Sequence, residues 1–197
     1  MVNPSSQIIL DIEKVTPLIE KYRAKGQKIV LTQGVFDMVH IGHARYCEEA
    51  KQYGDVLIVG VDSDEKVRFR KGPDRPIVPQ EERLEMLTYL RSVDMVVMKQ
   101  LNAPKLHLIK VIKPDVLVAT KDTYTEEQIV DLHTYCKKVV VLDPMATTST
   151  SAKIRRLQIG AAKKIGDKLS SKLITTIEEV LKELKADHPE LKEGEEK

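Results

Sequence analysis

The residues best placed to do chemistry are two histidines, His40 and His43, in the run Val39-His40-Ile41-Gly42-His43. They sit where a helical pattern begins, so both imidazoles can reach one side of a phosphate chain held at a helix amino terminus. Gly34 permits close approach of a ligand to the backbone, and Gly42 permits a tight turn between the histidines. A hydroxyl-rich run, Thr147-Thr148-Ser149-Thr150-Ser151, precedes the helical stretch Ala152–Leu157 with Lys153, Arg155 and Arg156. Hydroxyls and unpaired helix N–H groups suit phosphate oxygens, and the same residues also serve as helix caps. Lys71 and Arg75 lie in the basic turn Phe69-Arg70-Lys71-Gly72-Pro73-Asp74-Arg75-Pro76, a loop suited to closing cations over a polyphosphate. Arg83 and Arg91 flank the next helical stretch and offer cations for a second phosphate. Such groups hold and neutralise polyanions; they do not form covalent intermediates. Zinc ligation needs a third and a fourth ligand, and His133 and Cys136 are far away in sequence, so no metal site is expected.

Positioning these groups requires a rigid frame. Five short apolar runs rich in Val and Ile read as strands buried on both faces: Lys28–Gln33, Asp55–Val61, Asp94–Met98, Pro114–Ala119 and Lys138–Asp143. Helical patterns alternate with them at Ile41–Tyr53, Gln80–Ser92, Pro104–Ile112 and Tyr124–Cys136, and a leading helix is expected over Ile8–Ala24. This alternation predicts an α/β fold: a doubly wound, Rossmann-like, five-stranded parallel sheet with helices on both faces. Ligands then bind outside the strand carboxyl ends, where strand order reverses. The reading assigns residues 1–160 to this domain and 161–197 to a C-terminal helical extension. There Leu169, Leu173, Ile174, Ile177, Leu181 and Leu184 recur at helical spacing before a charged tail. That stripe either packs on its own domain or makes a homodimer contact.

Composition narrows the partners. The 197 residues hold 32 Lys+Arg against 30 Asp+Glu, a formal charge of +2 that provides no basic field for nucleic acid or an anionic membrane. Aromatic residues are 4% and Trp is absent, which disfavours a stacking platform for single strands. Cys47 and Cys136 cannot build a disulfide scaffold and fit a reducing compartment. With no membrane-length apolar run and no signal-peptide pattern at the amino end, the expected location is the cytoplasm.

The run Gly34-Val35-Phe36-Asp37-Met38-Val39-His40-Ile41-Gly42-His43, together with Ser149-Thr150-Ser151, resembles the nucleotidyltransferase superfamily marked by a His-x-Gly-His motif. Within it the sequence from about Ile8 to Leu157 is most similar to the adenylyltransferase domain of bacterial ADP-heptose synthases. Lys71-Gly72-Pro73-Asp74-Arg75-Pro76-Ile77, Leu90-Arg91-Ser92-Val93-Asp94 and Lys113-Pro114-Asp115-Val116-Leu117-Val118 carry that likeness. The resemblance implies that His40 and His43 bind the triphosphate and stabilise the transition state, with Lys71 over the phosphates. It places Gly34, Val35, Phe36, Asp37 and Gly42 against the nucleotide, Asp122 near the nucleoside, and Ser149 and Thr150 at the β/γ end. Arg75, Arg83 and Arg91 would meet phosphate or the acceptor. Magnesium is implied as a companion of the triphosphate, and a homodimer as the assembly.

Three stretches depart from the pattern: Ala119-Thr120-Lys121-Asp122, Ala146-Thr147-Thr148 and Pro144, on the base and acceptor sides of the cleft. ATP with a sugar 1-phosphate is the favoured pairing. CTP with a polyol or amino-alcohol phosphate, and adenylyl transfer to flavin mononucleotide, remain alternatives. A nucleotide-binding module without turnover is the competing class. A class I aminoacyl-tRNA synthetase fragment fails on length and on the missing RNA-binding face and Lys-Met-Ser-Lys-Ser loop.

Overall fold

A computed structural model describes residues 7–121, 123–143, 145 and 150–187. The chain forms two compact units, Met1–Thr147 and Thr148–Lys197. In the first unit, β1 (Ile8–Ile9), α1 (Val15–Ala24), β2 (Ile29–Gly34), α2 (Ile41–Lys51) and β3 (Val56–Asp62) are followed by α3 (Asp64–Lys71) and α4 (Gln80–Thr88). Then come β4 (Met95–Lys99), α5 (His107–Ile112), β5 (Val116–Thr120), α6 (Glu126–Leu132) and β6 (Lys138–Leu142). The second unit contains α7 (Thr150–Asp187).

All neighbouring strands are parallel, in the order β1-β4-β3-β2-β5-β6. The chain winds outward from β2 to β4, then crosses back to lay β5 on the other side of β2. Strand order therefore reverses between β2 and β5, and the crevice outside their carboxyl ends is the place for a ligand. Apolar side chains of α2 and α4 fill one face of the sheet, with Tyr46, Cys47, Leu84 and Leu87 buried there. Val15 and Ile19 of α1, Leu108 and Ile109 of α5 and Leu132 of α6 fill the other. The doubly wound expectation holds.

The sheet has six strands rather than five. The extra one, β1, is two residues long and pairs through Ile8 and Ile9 with Val96 and Val97. A segment this short shows no period, so the sequence pattern merges it with the expected leading helix, which instead starts at Val15 after a 3-10 turn at Ile12–Lys14. Helix α3 also escapes the pattern, because seven of its residues are polar or aromatic and only Val67 is buried. It forms because Ser63 accepts from the Lys66 N–H at 3.3 Å, Asp64 and Glu65 lie in the first turn, and Arg68, Arg70 and Lys71 lie in the last.

Aspartates lock the register at the amino ends of the central strands. Asp115 Oδ2 accepts from Ile29 N at 2.9 Å, Asp94 Oδ2 from Leu57 N at 2.6 Å, and Asp55 Oδ2 from Lys28 N at 2.7 Å. Burial and the Lys137 ammonium pull the Asp115 carboxyl in opposite directions, and its proton affinity ends below the ordinary carboxylate value. The polar groups at this end tie the strands to one another, and Asp62 and Lys99 end β3 and β4 at the opposite end.

The helical stretch expected at Ala152–Leu157 and the apolar stripe expected in the C-terminal extension lie on one continuous helix of 38 residues. Its stripe residues Leu169, Leu173, Ile174, Ile177, Leu181 and Leu184 are all exposed. Among the described residues no helix is long and apolar enough to cross a membrane.

Candidate active site

The two histidines are held by the start of α2. His40 is its N-cap; the Gly42 N–H donates to His40 Nδ1 at 3.1 Å, and the His40 N–H donates to His43 Nδ1 at 3.3 Å. This reciprocal cap satisfies backbone donors that a helix start otherwise leaves unpaired. It also sets the chemistry of the rings. A neutral imidazole whose Nδ1 accepts a hydrogen bond carries its proton on Nε2, so Nε2 is the donor atom of each ring. The ring centroids lie 4.2 Å apart. Capping, which looks in the sequence like an alternative to phosphate binding, uses only the Nδ1 side of each ring.

Helix α2 is itself fixed at the reversal point. Tyr46 OH donates to Val118 O at 3.1 Å and lies 2.7 Å from Thr32 Oγ1, linking α2 to β5 and β2. Burial pushes the Tyr46 phenol far above its ordinary value, so it stays protonated and keeps this donor.

The loop between β2 and α2 is strained. Phe36 and Met38 have φ of 53° and 52°, a region costly for residues with a Cβ. Several contacts hold it. The Phe36 ring packs so closely under Gly34 that a Cβ there would lie 3.0 Å from Phe36 Cε2, so glycine at 34 makes room for this ring. Phe36 also lies against His43, with centroids 5.5 Å apart. Asp37 is buried and accepts from the Ile77 N–H at 3.1 Å and the Val78 N–H at 3.0 Å, while Arg75 Nη2 pairs with its Oδ2 at 2.8 Å. Asp37 and Arg75 were expected at the nucleotide and the acceptor. The structure engages them with each other, pinning the basic loop to the histidine loop.

Arg83 requires a correction. It was expected to meet phosphate or the acceptor, yet its side chain is 0% exposed. Its guanidinium donates to Val78 O at 3.0 Å, to Val35 O, to Asp62 O at 2.9 Å and to Asp64 Oδ1 at 2.7 Å. A planar fork with several donors can join three chain segments at once, and a carboxylate among the acceptors offsets burial of its charge. Arg91 is a second correction. It is exposed and precedes β4, next to Asp94 at the amino-terminal edge of the sheet, and the strand carboxyl ends lie across the sheet from it.

Lys71 ends α3, close to this network. Partial burial, then the Arg75 and Arg70 cations, hold its ammonium below the ordinary lysine value, while Asp37 and Asp62 pull the other way. A cation crowded by cations is relieved by an arriving polyanion. Thr150 is the first residue of α7 in the second unit. Asp122 and Ser149 lie outside the described residues.

Along the other side of the strand ends runs a cavity of about 850 Å³. Lys71, Gly34 and Val35 line it, as do several residues that the sequence reading did not single out: Asp62, Lys66, Arg70, Lys99, Lys105 and Tyr124. The signal that could have found two of these is positional: Asp62 and Lys99 are the last residues of β3 and β4. Burial lowers the Lys99 proton affinity most, with Asp62 raising it and Lys66 and Arg70 lowering it further. Burial pushes the Tyr124 phenol up to about 12, so it is protonated at neutral pH. Among the described residues no group of three His, Cys, Asp or Glu side chains could hold a metal ion.

The fold agrees with comparison to known proteins. A family model described as cytidylyltransferase-like matches residues 31–177. The chain belongs to the cytidylyltransferase-like family. By family it is a nucleotidyltransferase, and the resemblance carried by the His-x-Gly-His run is upheld. The bifunctional protein HldE of a Nitratiruptor species is 40% identical over 155 residues, 79% of this chain and 33% of that protein. The protein of the same name from Aliarcobacter butzleri is 42% identical over 156 residues, 78% of this chain and 32% of that protein. The chain therefore spans about a third of the length of these relatives. Among solved structures, a lipopolysaccharide core biosynthesis protein from Thermoplasma volcanium superposes with a TM-score of 0.53 at 29% identity, covering 60% of this chain and 98% of that one. A pantoate-beta-alanine ligase from Francisella tularensis shares the fold alone, at TM-score 0.54 and 17% identity over 73% of this chain and 68% of that one.

Proposed function

We propose that this cytidylyltransferase-like chain transfers a nucleoside monophosphate from ATP to a phosphorylated acceptor of the sugar 1-phosphate class. An oxygen of the acceptor phosphate attacks the α-phosphorus, the bond to the β-phosphate breaks, and pyrophosphate leaves. The nucleophile is an anion near neutral pH, so no general base is required. Catalysis rests on in-line placement and on neutralising charge that grows on the leaving oxygens. The observation that carries this reading is the reciprocal cap of His40 and His43, which commits both Nδ1 atoms to the backbone and leaves Nε2 as the donor side. Lys71 supplies a cation at the end of α3. Asp37 and Arg75, with Arg83 beneath, hold the histidine loop and the basic loop in register. Ser149, Thr150 and Asp122 keep their proposed roles at the β/γ-phosphates and the nucleoside. Magnesium enters as part of the nucleotide substrate. ATP is favoured over CTP by likeness to proteins named HldE.

The test is pyrophosphate release from each of the four nucleotides, with mannose 1-phosphate, glycerol 3-phosphate, phosphoethanolamine and flavin mononucleotide as acceptors. The expected result is release with ATP and the sugar phosphate. Preference for CTP overturns the donor, and turnover only with flavin mononucleotide overturns the acceptor. Nucleotide binding without release from any pair leaves a binding module in place of an enzyme.

The assembly we propose is a homodimer formed along α7, supported by its exposed stripe of six Leu and Ile residues. Light scattering of the whole chain should report a particle of two chains, and Ile177→Glu should return it to one, because a charge in an apolar contact is costly to bury. A monomeric unmodified chain refutes this, and a dimer that survives the substitution places the contact elsewhere.

A further inference from the structure

Helix α7 carries charges in an order that a single helix does not favour. Lys164, Lys168 and Lys172 follow one another at four-residue spacing, and Glu179 and Glu183 stand four residues apart further on. Each of the five immediately precedes an exposed apolar residue: Ile165, Leu169, Leu173, Val180 and Leu184. One residue turns a helix by about 100°, so all five charges flank the apolar stripe on the same side. Like charges at i and i+4 repel within one helix. Among the described residues none of the five makes an ion pair. The wider balance is as uneven: residues 163–172 hold four lysines and one aspartate, and residues 177–184 hold three glutamates and one lysine.

We propose that α7 pairs with α7 of a second copy in antiparallel orientation, with the two-fold axis beside Thr175. In that register Ile165 faces Leu184, Leu169 faces Leu181 and Leu173 faces Ile177 of the second copy. The same register sets Lys168 against Glu183 and Lys172 against Glu179, because the same flank of each helix faces the other in an antiparallel pair. Every contact then occurs twice, as a two-fold interface requires. A parallel pair would lay the lysine-rich stretches side by side, and the glutamate-rich stretches likewise, with repulsion along both. Burial of the stripe supplies the attraction, and the flanking charges choose the direction. This inference rests on the homodimer proposed above and adds its orientation, its register and the residues that set them.

The test is cross-linking of full-length chains with a short bis-maleimide. The unmodified chain, whose Cys47 and Cys136 are buried, is the control. Thr176→Cys should link to its copy, since both lie next to the axis. Leu184→Cys should not, because its copy lies about 27 Å away along the helix at about 1.5 Å per residue. Light scattering should report both variants as dimers. Lys168→Glu with Lys172→Glu in one chain makes both facing pairs repulsive and should raise the dimer Kd by about 10-fold or more at low salt. Adding Glu179→Lys and Glu183→Lys to that chain should restore the Kd, and thermal melts confirm that the variants are folded. Linking through Leu184→Cys, which a parallel pair requires, overturns the proposal. So does a dimer that Thr176→Cys fails to link, because its contact lies elsewhere, and so does a Kd unmoved by the charge changes. A monomeric unmodified chain refutes the homodimer itself, and light scattering alone reports that outcome.

Discussion

Replacing His43 with alanine is expected to lower kcat by on the order of 10²-fold or more, with nucleotide affinity changed far less. The reason lies in where its proton is. His43 Nδ1 accepts the His40 N–H at 3.3 Å, which leaves Nε2 to donate. A donor fixed before the reaction interacts most strongly with the atom whose charge grows during transfer, and the leaving oxygens of a triphosphate gain charge only as the α-bond breaks. Alanine also removes half of the reciprocal cap and should cost about 0.5–2 kcal/mol of stability. His43→Asn separates the two effects: its side-chain oxygen can still accept the backbone N–H, so stability should recover while kcat stays low. Steady-state kinetics beside nucleotide binding by calorimetry make the measurement. If affinity falls as far as kcat/KM while kcat is intact, His43 serves binding alone.

Arg83→Met is the substitution with the largest expected effect on stability. The buried guanidinium satisfies three backbone carbonyls and the Asp64 carboxylate, and methionine fills part of its volume while satisfying none of them. Breaking such a set by removing one partner is expected to cost about 3–5 kcal/mol. One of the stranded carbonyls belongs to Val35, next to the left-handed Phe36, so the loop leading to the histidines loses an anchor as well. Urea unfolding should show a lower midpoint with a similar slope, and residual activity should fall through a poorer kcat before binding suffers. A change in stability within about 1 kcal/mol would mean that the carbonyls find other donors.

The sequence alone determined the class of fold and the capped histidine turn of the candidate site. Val- and Ile-rich runs separated by amphipathic stretches have few solutions other than a parallel sheet covered on both faces, so five strands and their helices were legible from burial period and turn residues. His40, Gly42 and His43 were legible as a group because they lie within one turn of one helix, where spacing in sequence is spacing in space. Only the tertiary structure decided the rest. Strand β1 is too short to carry a period, and its two residues are strand because β4 offers an open edge. Helix α3 has no apolar stripe and stands on its cap and end charges. Arg83 and Arg91 look alike in the sequence as surface cations beside a helix. Folding buries the first among carbonyls from three chain segments, two of them distant, and places the second at the amino-terminal edge of the sheet, because which way a long side chain points depends on neighbours far away along the chain. Asp62 and Lys99 are 37 positions apart and meet only because β3 and β4 pair in register, Asp62 opposite Lys99. A local pattern reveals groups that cooperate through one element; groups that cooperate across the sheet become visible only when the strand order is known.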